Sequence, residues 1–153
     1  TSTELGAENT AGEGYLELNG TEMTTGSLTL HESAEIIINS FADGGGIYVT
    51  SSAAGDLAIA DGGIITINFA GDPDSWDNLN GLRVEGDRVS ELQALETAGK
   101  LVLNTANLSP AVQQHMHWAY DDAGYTLLVV PEPATLSLLA LAGLAAARRR
   151  RRR

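Results

Sequence analysis

Cysteine is absent from the chain, so no disulfide framework and no thiolate metal site is available, although cysteine-free proteins are exported as readily as retained. Aromatic residues supply only 5% of the 153 positions while glycine supplies 17. A core of large rings is thereby excluded, and short strands joined by tight turns are favoured. Basic residues are scarce as well, nine against 20 acidic ones. Six of the nine are the terminal run Arg148, Arg149, Arg150, Arg151, Arg152 and Arg153, which leaves Arg83, Arg88 and Lys100 to offset the acids, a net charge near −17 for residues 1–147. A body of that sign repels nucleic acid, and anionic polysaccharide too unless cations intervene. The sequence opens at Thr1 without Met and without a basic-then-apolar leader; a leader already removed and a fragment of a longer chain fit this equally.

Catalytic signatures are missing too. No Ser/His/Asp or Cys/His arrangement is recognisable, no phosphate-cradling glycine loop follows a strand, and Gly44-Gly45-Gly46 reads as a turn. The acidic residues are scattered, so no glycosidase pair is indicated. The expectation is a protein without enzymatic activity and without a resident cofactor. Two weak metal candidates stand out. His115 and His117, placed on one strand face, would reach one ion together with Asp121 or Asp122. Asp72, Asp74 and Asp77, with Asn78 and Asn80, concentrate oxygen ligands of the type Ca²⁺ prefers, but Trp76 and Asp77 break the EF-hand template and a solvated loop is the simpler reading.

What is present is a repeat. Gly26 to Asn39 aligns with Gly55 to Asn68 at an offset of 29, matching Leu28 with Leu57, Ile36 with Ile65, Ile38 with Ile67 and Asn39 with Asn68, with Glu32 facing Asp61. Each copy reads as a strand, an acidic turn and a β-branched strand, and Tyr15 to Leu18 begins in the same way. Repeats of 20 to 30 residues with Gly-x-Leu-x-Leu punctuation predict a mainly β fold, a short parallel β-solenoid, with a β-sandwich as the alternative.

Further elements follow. Asp87 to Ala98 predicts an amphipathic helix with Val89, Leu92, Leu95 and Ala98 on one side, capped by Asp87 or Ser90 and ended by Gly99. Gly81–Val84 and Leu101–Leu103 predict strands. Met116, Trp118 and Tyr120, a turn at Asp121–Gly124, and Tyr125, Leu127 and Val129 predict a closing hairpin whose aromatics seal the end of the stack.

The last residues are of another kind. Val130, Pro131, Glu132, Pro133, Ala134 and Thr135 precede an uncharged run, Leu136 to Ala147, and then the six arginines. Proline lacks a backbone donor and biases its predecessor towards extended geometry, which keeps the strip out of sheet and helix. As a helix, the uncharged run from Ala134 would span about 21 Å, short of the ~30 Å hydrocarbon core. Its five leucines contribute only about −2 to −3 kcal/mol of insertion preference. Such a segment resides marginally in a membrane, with the arginines held on the cytoplasmic side and the body outside.

Motif, apolar run and basic end together resemble the PEP-CTERM sorting signal, the carboxy-terminal element recognised by exosortase in Gram-negative bacteria. The body, through its Gly-x-Leu-x-Leu runs and Ile64 to Phe69, resembles autotransporter-like Gly-rich β repeat proteins. The first resemblance implies export, an inner-membrane-anchored intermediate, processing near Pro131–Pro133 by an exosortase-like membrane protease, and a final place on the outer surface or in the extracellular matrix. It implies a biofilm and exopolysaccharide setting, with no nucleic-acid partner. The expected organisation is a flexible leading segment (1–14), a β-rich extracellular domain (15–130) and a sorting signal with a transmembrane-type helix and an arginine tail (131–153). A secreted carbohydrate- or calcium-binding module with the same tail is the alternative.

Overall fold

The computed structural model describes residues 2–5, 14–40, 46–53, 55–69 and 81–130. Among them are twelve strands and two helices: β1 (Ser2–Leu5), β2 (Tyr15–Asn19), β3 (Glu22–Thr25), β4 (Ser27–Leu30), β5 (Glu35–Ser40), β6 (Gly46–Val49), β7 (Leu57–Ile59), β8 (Ile64–Phe69), β9 (Gly81–Glu85), α1 (Val89–Thr97), β10 (Leu101–Asn104), α2 (Pro110–His115), β11 (His117–Tyr120) and β12 (Tyr125–Val129). The strands form three sheets, ordered β1-β4-β7, β10-β8-β5-β2 and β11-β12-β9-β6-β3. From β2 to β7 the chain visits the four-, five- and three-stranded sheets in turn and then repeats the circuit, so each return lays a strand beside its predecessor. Pairing is parallel throughout, except that β12 runs antiparallel to both β11 and β9.

The offset-29 repeat is the strand register itself. Leu28 pairs with Leu57, Ile36 with Ile65, Ile38 with Ile67 and Asn39 with Asn68. Because side chains alternate faces along a strand, in-register stacking puts aliphatic on aliphatic inside. Leu28, Leu30, Ile36, Ile38, Ile47, Val49, Ile65, Ile67, Leu82 and Val84 are buried in a single cluster between the sheets. The acidic turns repeat as well. Ser33 and Gly62, also 29 apart, both have positive φ, 63° and 88°. Glycine adopts that conformation without strain and serine does not. Ser33→Gly is accordingly expected to stabilise the body by about 1 kcal/mol in chemical denaturation.

Within the leading segment, expected to be flexible, Ser2–Leu5 form β1, parallel to β4; the Thr3 hydroxyl donates to Thr25 Oγ1 at 3.0 Å. The expected helix is shorter than its apolar stripe, running Val89–Thr97 with Leu92 as its buried residue and Ala98 exposed at its C-cap. Asp87 stands one residue before the N-cap, where its carboxylate accepts from Val89 N–H at 3.5 Å; Ser90 lies inside the helix. Arg88 holds the N-cap position without a side-chain cap; its backbone N–H donates to Thr126 Oγ1 at 2.8 Å and its guanidinium donates twice to Glu91, at 2.5 and 2.7 Å. At the other end Gly99 (φ 71°) closes a Schellman turn, with Gly99 N–H bonded to Glu96 O and Lys100 N–H to Leu95 O. A second helix, α2, was not expected from sequence; Ser109 caps it through Val112 N–H and Pro110 begins it.

Candidate functional site

The closing hairpin carries the chain from the β body to its terminal segment. Asp121 makes the turn: its carboxylate accepts from Tyr125 N–H at 2.8 Å and its carbonyl from Gly124 N–H at 3.2 Å, with Gly124 at φ 94°. The core face of β12 differs from the one expected. Thr126, Leu128 and Val130 point inward with Trp118, whereas Tyr125 and Val129 are half-buried and Tyr120 is 51% exposed. The run Leu127 to Val130 is apolar at every position, so alternation could not choose its face. Leu128 lies opposite Trp118 and Val129 opposite His117. The Trp118 indole N–H donates to Glu96 at 3.0 Å, tying the hairpin to α1. Val130 is 5% exposed and belongs to the core cluster. Of the recognition strip read from sequence, Val130 alone falls among the described residues. Pro131 to Thr135, the apolar run and the six arginines lie outside them, and no described helix is long and apolar enough to cross a membrane.

Of the candidate metal residues, the two histidines lie on different elements. His115 ends α2 and His117 begins β11, so the two do not share a strand; His117 Nδ1 sits 2.9 Å from the His115 carbonyl oxygen. Among the described residues no three His, Asp or Glu side chains gather as a metal would require. Asp72, Asp74 and Asp77 lie outside the described residues.

Two arrangements go beyond the sequence reading, which had matched only Asn39 with Asn68. The first is an asparagine ladder across the four-stranded sheet: Asn39 Nδ2 donates to Asn19 Oδ1 at 2.6 Å, Asn68 Nδ2 to Asn39 Oδ1 at 2.8 Å, and Asn104 Nδ2 to Asn68 Oδ1 at 2.9 Å. Each amide thus bonds its counterpart in the neighbouring strand and fixes the register. The second lies on the outer face of the five-stranded sheet, where Tyr48, Arg83 and Leu127 occupy one row. The Arg83 guanidinium lies 4.3 Å from the Tyr48 ring centre and 5.7 Å from that of Tyr125, and the two rings meet edge-on at 5.1 Å. Leu127 is buried outside the core cluster. Glu22, 3.7 Å from Arg83, is exposed and contributes little.

Burial pushes the Tyr48 phenol up to about 12, helped by its hydrogen bond with Tyr125 and by Glu85 and opposed by Arg83. A phenol whose folded value exceeds its ordinary value stabilises the fold below that ordinary value, and the contribution disappears as pH rises from about 10 towards 12. The parent should therefore lose stability more steeply over that range than Tyr48→Phe, compared by denaturation at each pH.

Two open clefts flank the hairpin. One, of about 260 Å³, is lined by Glu96, Gln113, His117 and Trp118 among others. The second, of about 300 Å³, is lined by Ser52, Glu85, Tyr120 and Tyr125 with Gly86 and Gly124.

Residues 129–153 match the PEP-CTERM protein-sorting motif. That motif indicates sorting by exosortase, a membrane enzyme, with export, membrane-associated processing and localisation at the cell surface. No curated protein and no solved structure matches the chain.

Proposed function

We propose that this chain is a non-enzymatic structural or adhesive protein of the outer surface or biofilm matrix of a Gram-negative bacterium, built as a short β-solenoid and delivered by its terminal segment. The observation that carries the reading is the sorting-motif match over 129–153. Its parts have separable tasks. Val130 to Thr135 present the recognition strip, Leu136 to Ala147 hold the chain transiently in the inner membrane, and Arg148 to Arg153 keep the far end cytoplasmic. The body supports the same reading by its construction. Successive circuits of parallel strands and an amide ladder give a regular surface, and the acidic charge favours solubility outside the cell and contact with exopolysaccharide through bridging cations.

The test replaces Pro131, Glu132 and Pro133 together by alanine in a host that makes an exosortase. The expected outcome is uncleaved protein that remains with the membrane fraction, while the parent is processed and reaches the surface, as read by mass and by fractionation. Equal processing of variant and parent would remove the proposal.

A further inference from the structure

The sorting segment begins inside the folded body. The motif match starts at residue 129, Val129 is the last residue of β12 and lies opposite His117 of β11, and Val130 is 5% exposed in the core cluster. Pro131 follows directly. No spacer therefore separates the hydrophobic core from the strip on which the membrane enzyme acts.

Cleavage near Pro131–Pro133 breaks one peptide bond. With water as acceptor it leaves a carboxylate on the body and an amine on the tail. An enzyme that performs this step grips extended backbone on both sides of the bond, which on the amino-terminal side means Val129 and Val130. In the folded body those residues are already committed. Val129 is laddered to β11, and β11 is itself anchored by Trp118, which is 4% exposed and bonded to Glu96. A segment held in this way is cut in proportion to the population in which it has locally opened.

We infer that the folded body masks its own sorting segment, so that folding of the last strand and processing of the tail compete for Val129 and Val130. The enzyme acts on chains whose β12 end has not yet docked, or has lifted away, and the docked form is a poor substrate. This rests on the sorting reading above, but it adds a regulatory contact that the motif alone does not contain.

Two variants of the full chain test it by pulse–chase in an exosortase-bearing host. In the first, six Gly and Ser residues are inserted between Val130 and Pro131, which adds about 20 Å of reach and leaves the core intact; processing should accelerate about tenfold. In the second, His117→Cys and Val129→Cys are combined. The natural chain has no cysteine, so the pair forms one cross-strand disulfide between directly opposed residues. Processing of the oxidised form should be about tenfold slower than that of the same protein in reductant, while the parent is indifferent to reductant. Equal rates for parent and spacer chain, or for the oxidised and reduced pair, overturn the masking and leave the sorting reading in place. Conversely, if the spacer chain with Pro131, Glu132 and Pro133 replaced by alanine is cut as fast as the spacer chain itself, the sorting reading falls while an accelerated spacer chain still supports masking of the junction. A parent and spacer chain that both remain uncut end both ideas.

Discussion

Replacing Gly46 by alanine is expected to destabilise the body by about 3 kcal/mol or more, seen as a lowered denaturant midpoint. Gly46 heads β6 and lies opposite Gly81 at the head of β9. A Cβ built on Gly46 would land on the carbonyl oxygen of Gly81 and come within 2.7 Å of its amide nitrogen. Both obstacles are main chain held in a sheet, so no rotamer change relieves them. The strands would have to separate, and with them the buried pairs Ile47 with Leu82 and Val49 with Val84, each residue no more than 1% exposed. Overpacking against yielding side chains costs about 1–3 kcal/mol; here nothing yields, and the upper end or beyond applies. Gly55→Ala supplies the contrast. A Cβ there meets nothing within 4 Å, and only its φ of 94° resists substitution, which costs about 1–2 kcal/mol. Equal losses at the two positions would show that backbone freedom, not the close approach of two strands, is what Gly46 supplies.

The same geometry explains which features were legible in the sequence. The offset of 29 between Leu28 and Leu57 and between Ile38 and Ile67 was visible because β4 and β5 are both followed, one circuit later, by strands the same distance along the chain, so register in space became period in sequence. Of the asparagine ladder, only the Asn39–Asn68 step was visible, as part of that repeat. Its rungs at Asn19, Asn39, Asn68 and Asn104 are 20, 29 and 36 residues apart, and the longest step contains α1. Pairing in a parallel stack constrains where a strand returns, not how much chain is spent on the corner.

Local ambiguity accounts for other differences. α2 spans only six residues, too few for an apolar stripe to repeat, although Ser109-Pro110 was a start signal in plain sight. Asp87 reaches the helix start only at 3.5 Å, from the position before the N-cap, while the N-cap itself falls to Arg88, which is fixed by Glu91, Thr126 and the Ala53 carbonyl. In the terminal segment the position was reversed. Its order of motif, apolar run and arginines is one-dimensional information, needing no fold to be read, and the motif match over 129–153 agrees with it. What the sequence could not disclose was that Val130 serves two structures, the core of the body and the start of the signal.

Truncating Phe69 to alanine is the second large effect, expected to cost about 3–5 kcal/mol. Phe69 is 1% exposed and heads the largest fully buried side chains, in a core otherwise built mainly from Leu, Ile and Val. It ends β8, which lies between β5 and β10 in the four-stranded sheet, and its carbonyl accepts from Asn107 Nδ2 at 3.1 Å. Removing the ring leaves a cavity that two paired strands hold open, so collapse recovers little of the loss. Phe69→Leu retains most of the volume and should cost under about 1.5 kcal/mol. Against a domain stability of about 5–15 kcal/mol, the alanine variant populates unfolded chain appreciably, and the leucine variant does not. If the folded body masks Val129 and Val130, the two variants must also differ in processing: Phe69→Ala, although less stable and lower in yield, is cut faster than the parent, while Phe69→Leu is cut at nearly the parent rate. Stability measured by denaturation and processing measured by pulse–chase should then move in opposite directions across the three proteins. A variant that loses stability without gaining in processing rate would separate the fold of the body from the fate of its tail.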